Sequence, residues 1–292
     1  MIVRGVPTSD ERPLLIIDGD NLAHRAYHSM PKTLKSSNGR PINAIVGWTN
    51  MLLTLWDSEQ PRSIFAAWDT LGVDTYRHTL WPTYQGGRVF DDAIVKQLNL
   101  LPSLAAAFGF GVGKQAGYEA DDFMAAAAVA ETARGGHSLL LTTDRDAYQL
   151  VSESVTVLAP RSGVRDLVRI GPSQVVERMG VLPEQIPDFK ALAGDASDNI
   201  PGARGIGPKA AASLLLKYGT LEAILEARSD TLGPPLADQL RVFKDIVCMR
   251  PQDLSVTLPE SAPPDWLGAA KRLEELGASN SAERVAARHK EK

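Results

Sequence analysis

Leu14-Leu15-Ile16-Ile17-Asp18-Gly19-Asp20 is a short apolar run that ends in an acid, a glycine and a second acid. It reads as a buried strand, then a turn, then a helix over about residues 21–28. The same arrangement recurs. Ser63 to Trp68 is apolar and ends in Asp69, and Ser138 to Leu141 runs into Thr142-Thr143-Asp144-Arg145-Asp146. A short strand over residues 111–114 leads to Gly117-Tyr118-Glu119-Ala120-Asp121-Asp122, at the head of an alanine-rich helical run from Phe123 to Arg134. Helical patterns fill the gaps at residues 42–56 and 91–108, and further short strands are expected at 155–158 and 168–170. Strands alternating with helices predict an α/β fold with a parallel, doubly wound sheet. Ligands of such sheets sit at the carboxyl ends of the strands, which is where the acids gather.

After Pro172 the pattern changes to helices and turns, with helices predicted at residues 173–180, 183–193, 209–218, 221–227 and 236–249. A boundary in the interval 171–182 divides the chain into a core (1–175) and a helical domain (176–292). The connecting turn of the second domain runs from Asp195 through Asn199-Ile200-Pro201-Gly202 to Gly207. The tail beyond Pro263 is polar and helix-forming, with frayed last residues. Residues 71–88 lack clean periodicity and read as a mobile stretch carrying Tyr76, Arg77, Trp81, Tyr84 and Arg88.

The chain has 292 residues, 44% of them apolar, enough for a sizeable core. A single cysteine, Cys248, excludes an internal disulfide. No run of about 18 apolar residues occurs, so a soluble cytoplasmic protein without a membrane partner is expected. The net charge of −4 argues against a nucleic-acid partner on its face. Two Mg²⁺ ions in an acidic site would bring the total to about zero, so the charge does not decide.

The acids at issue are Asp18, Asp69, Glu119, Asp121, Asp122, Asp144, Asp146, Asp195 and Asp198. Each singly suits a turn or a helix N-cap. Glu119 and Asp122, three apart, share a helix face, and with Asp121 they form either an acidic helix start or the centre of a cation site. Oxygen ligands without nearby His or Cys favour Mg²⁺ or Mn²⁺ over Zn²⁺. The matching chemistry is metal-assisted phosphoryl transfer or hydrolysis. Gly205-Ile206-Gly207-Pro208-Lys209 reads as a tight interhelical turn or as a phosphate site, with amides at the next helix start and Arg204 and Lys209 beside it. Arg77 and Arg88 suit phosphate clamping and Tyr84 suits base stacking; all three also suit a role as surface anchors.

Together these motifs resemble the bacterial 5′–3′ exonucleases, or flap endonucleases, found free-standing and as the N-terminal domain of DNA polymerase I. The resemblance rests on Asp18-Gly19 with Leu22 to His28, Trp68-Asp69, Tyr76-Arg77-His78, Gly117 to Asp122, Thr143 to Asp146, Leu192 to Gly202, and Gly205-Ile206-Gly207, in family order. It implies a PIN-like parallel-sheet nuclease core with a helix–three-turn–helix module. It also implies that all the acids named above serve two or three Mg²⁺ or Mn²⁺ ions, and none of those positions is substituted. Arg25 and Arg88 match phosphate-contacting positions, and Tyr84 matches the tyrosine of a Tyr-Lys-x-x-Arg motif. Arg77, Gly202, Arg204, Gly205, Gly207 and Lys209 would face DNA, with K⁺ often bound at the glycine turn. Three departures stand out: Gln85 replaces the lysine of that motif, His24 replaces an aromatic residue, and Asp91-Asp92 adds acid near the arch. The expected activity is hydrolysis of a phosphodiester at a junction of 5′ single strand and duplex, on DNA or an RNA primer–DNA hybrid. A structure-specific DNA-binding protein with weak catalysis is the alternative. With no polymerase segment after residue 292, a free-standing, monomeric, nucleoid-associated protein is expected.

Overall fold

The computed structural model of the chain describes residues 11–87 and 91–290. Its first half runs β1 (Leu14–Asp18), α1 (Gly19–Ser29), α2 (Asn43–Glu59), β2 (Ser63–Ala67), α3 (Tyr76–Leu80), α4 (Asp92–Leu98), α5 (Leu101–Ala107), β3 (Gly111–Gly113), α6 (Ala120–Ala133), β4 (Ser138–Leu141), β5 (Val155–Pro160) and β6 (Leu167–Ile170). The rest is helical: α7 (Pro172–Met179), α8 (Ile186–Ala193), α9 (Pro208–Tyr218), α10 (Leu221–Ala227), α11 (Ser229–Leu232), α12 (Pro234–Val247), α13 (Trp266–Glu275) and α14 (Ser279–Ala287).

The six strands lie in the order β3-β2-β1-β4-β5-β6. All neighbours are parallel except β5 and β6, so the sheet is mixed at one edge. The chain winds outward from β1 to β3, then returns to β4 on the other side of β1. The crevice between the ends of β1 and β4 is therefore the switch point where such sheets take ligands.

Alternation along β1 explains its wholly apolar sequence. Leu14 and Ile16 face one hydrophobic cluster with Phe65, Phe123, Met124 and Leu140. Leu15 and Ile17 face the other, with Ile64, Trp48 and Leu141. Both sheet faces are covered, as a parallel sheet requires. The first cluster continues into Leu192, Leu215, Leu240 and Phe243 of the helical part, so α6, α8, α9 and α12 share a core. Gly19 is needed where β1 turns into α1: a Cβ there would stand 2.6 Å from the Trp68 ring.

Four expectations change. The tail does not belong with the helical domain, since Trp266, Ala269, Leu273 and Val285 of α13 and α14 pack into the second cluster, beneath the core. Arg62, paired with Glu131 at 2.6 Å, also donates to the Pro259 carbonyl and fastens this return. The described end is held rather than frayed, with Arg288 bidentate to Asp57. The segment read as mobile is anchored between Thr75 and Gly86. Arg77 and Tyr84 are buried, and Asn199 Nδ2 donates to the carbonyls of Thr83 and Gly86. The helical pattern read over residues 91–108 is two helices, broken at Asn99 and Leu100.

Candidate metal centre

The strand ends converge on a small cavity of about 180 Å³, lined by Asp18, Asp20, Asp69, Glu119, Asp121 and Asp144 together with His24 and Gln85. Short polar contacts fix these carboxylates. Asp18 caps α1 by accepting from the Asn21 amide at 2.9 Å, and its other oxygen accepts from the Thr142 hydroxyl at 3.0 Å. Asp69 accepts from the Ala120 amide at 2.7 Å, while its own amide donates to Asp20 at 2.8 Å. Glu119 receives Tyr84 Oη at 3.0 Å and Thr75 Oγ1 at 3.3 Å. Asp144 accepts from the Asp146 amide at 2.8 Å. Backbone amides thus position Asp18, Asp20, Asp69 and Asp144, and side-chain hydroxyls position Glu119.

The concentration of charge shows in the proton affinities. Burial, with Asp69 and Asp144 nearby, pushes Asp18 up to about 7, against the opposing hydrogen bonds of Asn21 and Thr142. Burial also pushes Glu119 up to about 7, with Asp69 and Asp122 adding to it and Arg77 opposing. Asp121 is raised well above the usual carboxylate range by burial and by Asp144, Asp18 and Glu119. Asp20 is raised likewise by burial and Asp69. Burial, with His28 adding to it and Asp69 opposing, lowers His24 below the usual imidazole range.

A second acidic group stands where the two parts of the chain meet. Asp146, Asp195 and Asp198 each place one carboxylate oxygen within 4.8 Å of the others. The Lys190 ammonium lies against Asp146 and, at 2.6 Å, against Asp195. Burial raises Asp195, but hydrogen bonds from Lys190 and Ser197 hold it below the usual range. Gln85 links the two groups: its Nε2 donates to Tyr84 Oη at 2.8 Å and to Asp198 at 3.2 Å. The turn carrying Asp195 and Asp198 depends on Gly202, whose φ is +69° and whose Cβ would stand 2.4 Å from the Gly194 amide.

The chemistry of the donors fits a hard divalent cation. All are carboxylate oxygens, the raised proton affinities of Asp18, Asp20, Glu119 and Asp121 mark poorly compensated negative charge at the first group, and an ammonium already stands in at the second. In the metal-free protein Asp18 and Glu119 bind protons at about 7 when folded, and unfolded they do so near 4. Between those values the folded state holds more protons, so stability falls as pH rises. The metal-free protein is expected to melt several degrees higher at about pH 5.5 than at about pH 8, and saturating Mn²⁺ is expected to cancel or invert that difference, because bound ions need ionised carboxylates. Thermal melts in chelator and in Mn²⁺ check this; a metal-free melting temperature that rises with pH across the window would overturn it.

Several expected site residues are placed differently. Asp122 does not face the cavity. Fully buried, it accepts from Arg77 Nη1 at 2.7 Å, Arg77 Nη2 at 3.0 Å, Tyr76 Oη at 3.2 Å and the amides of Arg250 and Glu119 at 3.1 Å. A carboxylate with five donors has no lone pair left for a metal. Arg77 is spent in the same clasp, with Nε donating to the Ile246 carbonyl, so it is not a DNA contact in this structure. Tyr84 is 4% exposed and holds Glu119 rather than offering a ring to a base. Arg25 rests on the Pro160 carbonyl at 3.0 Å. Arg88 lies outside the described residues. Arg204, Gly205, Gly207 and Lys209 are exposed at the start of α9, while Gly202 is buried. Sequence reasoning missed Asp20, although the second acid of Asp-Gly-Asp was a signal, and Lys190, which carried none.

The family profile described as 5′-3′ exonuclease, N-terminal resolvase-like domain, matches residues 13–180, and that for the 5′-3′ exonuclease C-terminal SAM fold matches residues 181–257. The chain belongs to the 5′-3′ exonuclease family. Among curated relatives, it is 37% identical over 274 residues to DNA polymerase I of Mycobacterium tuberculosis, covering 91% of this chain and 30% of that protein. It is 41% identical over 240 residues to DNA polymerase I of Deinococcus radiodurans, covering 79% and 24%. The chain thus spans under a third of the length of these relatives. In fold it is similar to the bacteriophage T5 flap endonuclease solved with DNA and metal ions, at TM-score 0.64, 21% identity, and coverage of 94% and 98%. It is also similar to the catalytic core of Rad2 solved with DNA substrate, at TM-score 0.58, 14% identity, and coverage of 94% and 91%. The nuclease family and the resolvase-like core with a helical second region agree with the fold class read from the sequence.

Proposed function

We propose that the chain is a divalent-metal-dependent 5′–3′ exonuclease and 5′ flap endonuclease, acting where a 5′ single strand meets duplex DNA. The observation that carries this reading is the meeting of two acidic groups, one at the sheet's switch point and one on the helical turn, linked through Tyr84 and Gln85. Mg²⁺ or Mn²⁺ suits the oxygen-only donors. Held by these carboxylates, such ions would supply a water of lowered pKa and positive charge beside the departing 3′ oxygen.

The chain's own residues do the rest. Asp18, Asp69, Glu119, Asp121 and Asp144 hold one side of the reacting phosphate's environment, and Asp146, Asp195 and Asp198 hold the other. Tyr84 and Thr75 orient Glu119. The amides at the start of α9, with Arg204 and Lys209, suit the backbone of the duplex, and K⁺ held by that turn's carbonyls would serve the same contact. The products would be a 3′-hydroxyl on the released piece and a 5′-phosphate on the duplex, as in removal of flaps and primers during replication and repair.

The alternative, a DNA-binding protein with feeble catalysis, draws on Gln85. Its amide is tied to Tyr84 and Asp198 and supplies no positive charge. A labelled 5′-flap substrate separates the two readings. Cleavage near the junction that requires Mg²⁺ or Mn²⁺ supports the nuclease. Tight flap binding with no product under any divalent ion would overturn it in favour of the alternative.

A further inference from the structure

Lys190 projects from α8 between two acids that come from different parts of the chain. Asp146 follows β4 in the core, and Asp195 sits in the turn after α8. The lysine is 8% exposed and its ammonium touches both carboxylates. The third acid, Asp198, is met by Gln85 Nε2 at 3.2 Å. Three carboxylates converging within 4.8 Å repel one another unless a cation lies among them. An ammonium has three donors and no acceptor, so it fills that need. A divalent ion there would need oxygens of the same three carboxylates at about 2.1 Å, in the space where the Lys190 ammonium already stands, so the two positive charges compete for it.

We infer that Lys190 is a built-in placeholder cation, which holds the Asp146–Asp195–Asp198 triad in the metal-free protein and must withdraw when a divalent ion binds there. The inference takes the identity of the ion from the proposed nuclease reading. The strand-end cavity differs in degree: among the described residues no lysine or arginine lines it, and Arg77 stands behind Glu119, with Nη1 3.7 Å away, rather than among the acids. The two sites therefore fill in order, the strand-end cavity first and the triad second, against the cost of breaking a buried ion pair. The displaced side chain has somewhere to go. Lys190 also lines a groove of about 1040 Å³ bordered by Arg145, Arg178 and Lys209. These three are exposed, and among the described residues none is ion-paired. Withdrawal would add a further positive charge to a groove already suited to a phosphate backbone. Filling of the triad and binding of duplex would then favour each other.

The test is Mn²⁺ binding to the full chain without DNA, followed by electron paramagnetic resonance and calorimetry. Wild type is expected to show a tight and a weak class of site. In Lys190→Met the weak class should tighten by about tenfold or more, since no resident charge competes. The metal-free melting temperature of this variant should fall and be restored by Mn²⁺. A weak class that is unchanged or weaker in Lys190→Met overturns the inference, as does a metal-free melting temperature equal to that of wild type. Should Lys190→Met fail to fold without metal, Lys190→Gln, which keeps a neutral donor, is read by the same criteria. Because no DNA or cleavage enters the measurement, a wild type that does not cut flaps would sink the nuclease reading and leave this result interpretable.

Discussion

Asp121→Asn is expected to reduce turnover on a 5′-flap substrate by about 10³-fold or more, a loss of roughly 4 kcal/mol of transition-state stabilisation. Asp121 lines the strand-end cavity with Asp18, Glu119 and Asp144. Burial, with those neighbours adding to it, keeps its proton affinity well above the usual range, so its charge lacks compensation unless a cation stands beside it. Asparagine matches its shape and removes the negative charge, so α6 and its packing should survive. Equilibrium binding of the flap without metal should not weaken, because the variant only removes negative charge from a cavity that itself repels phosphate. Single-turnover cleavage at saturating Mg²⁺, beside binding by fluorescence anisotropy, measures the two quantities separately. Turnover within about tenfold of wild type would remove Asp121 from the centre.

Asp122→Ala is expected to act through stability, costing roughly 3 kcal/mol because it removes the bidentate partner of the buried Arg77 guanidinium and leaves it only Glu119, at 3.7 Å. The pair is nearly inaccessible, at 4% and 0% side-chain exposure. It also joins three parts of the chain. Arg77 reaches the Ile246 carbonyl at 2.9 Å, Tyr76 reaches the Cys248 carbonyl at 3.1 Å, and the Arg250 guanidinium stacks 3.9 Å over the Tyr76 ring. Loss of Asp122 should therefore loosen the end of α12 from the core. Denaturant unfolding in chelator should show the loss, and Arg77→Met combined with Asp122→Leu should recover much of it, since a neutral pair leaves no orphan charge. An Asp122→Ala protein of wild-type stability that fails to bind Mn²⁺ would return Asp122 to the metal site.

The contrast between these neighbours marks where sequence reading stops. In Glu119-Ala120-Asp121-Asp122 the acids look equivalent. On a helix, consecutive residues point about 100° apart, so one acid faces the crevice and the next faces inward. Which is which depends on how α6 rolls against the sheet and on Arg77, which arrives from 45 residues earlier. The same holds for Tyr84, an apparent stacking platform until Gly86 and Thr83 are pinned by Asn199 and the ring is drawn inward. It holds too for α13 and α14, polar enough to pass for an appendage, whose apolar stripe is completed only by the underside of the core.

The sequence by itself determined the α/β core, the acids at its strand ends, the change to helices after Pro172 and the family. These are local signals: an apolar run, a turn, a capping acid and a spacing of motifs each lie within a few residues of one another. Only the tertiary structure decided which acids share a cavity, that Asp122 and Arg77 form a clasp, that Asp20 joins the site and that Lys190 stands within the second acidic triad. Those facts are set by side chains tens of residues apart, brought together by the burial of both faces of the sheet and the shared core of α6, α8 and α12.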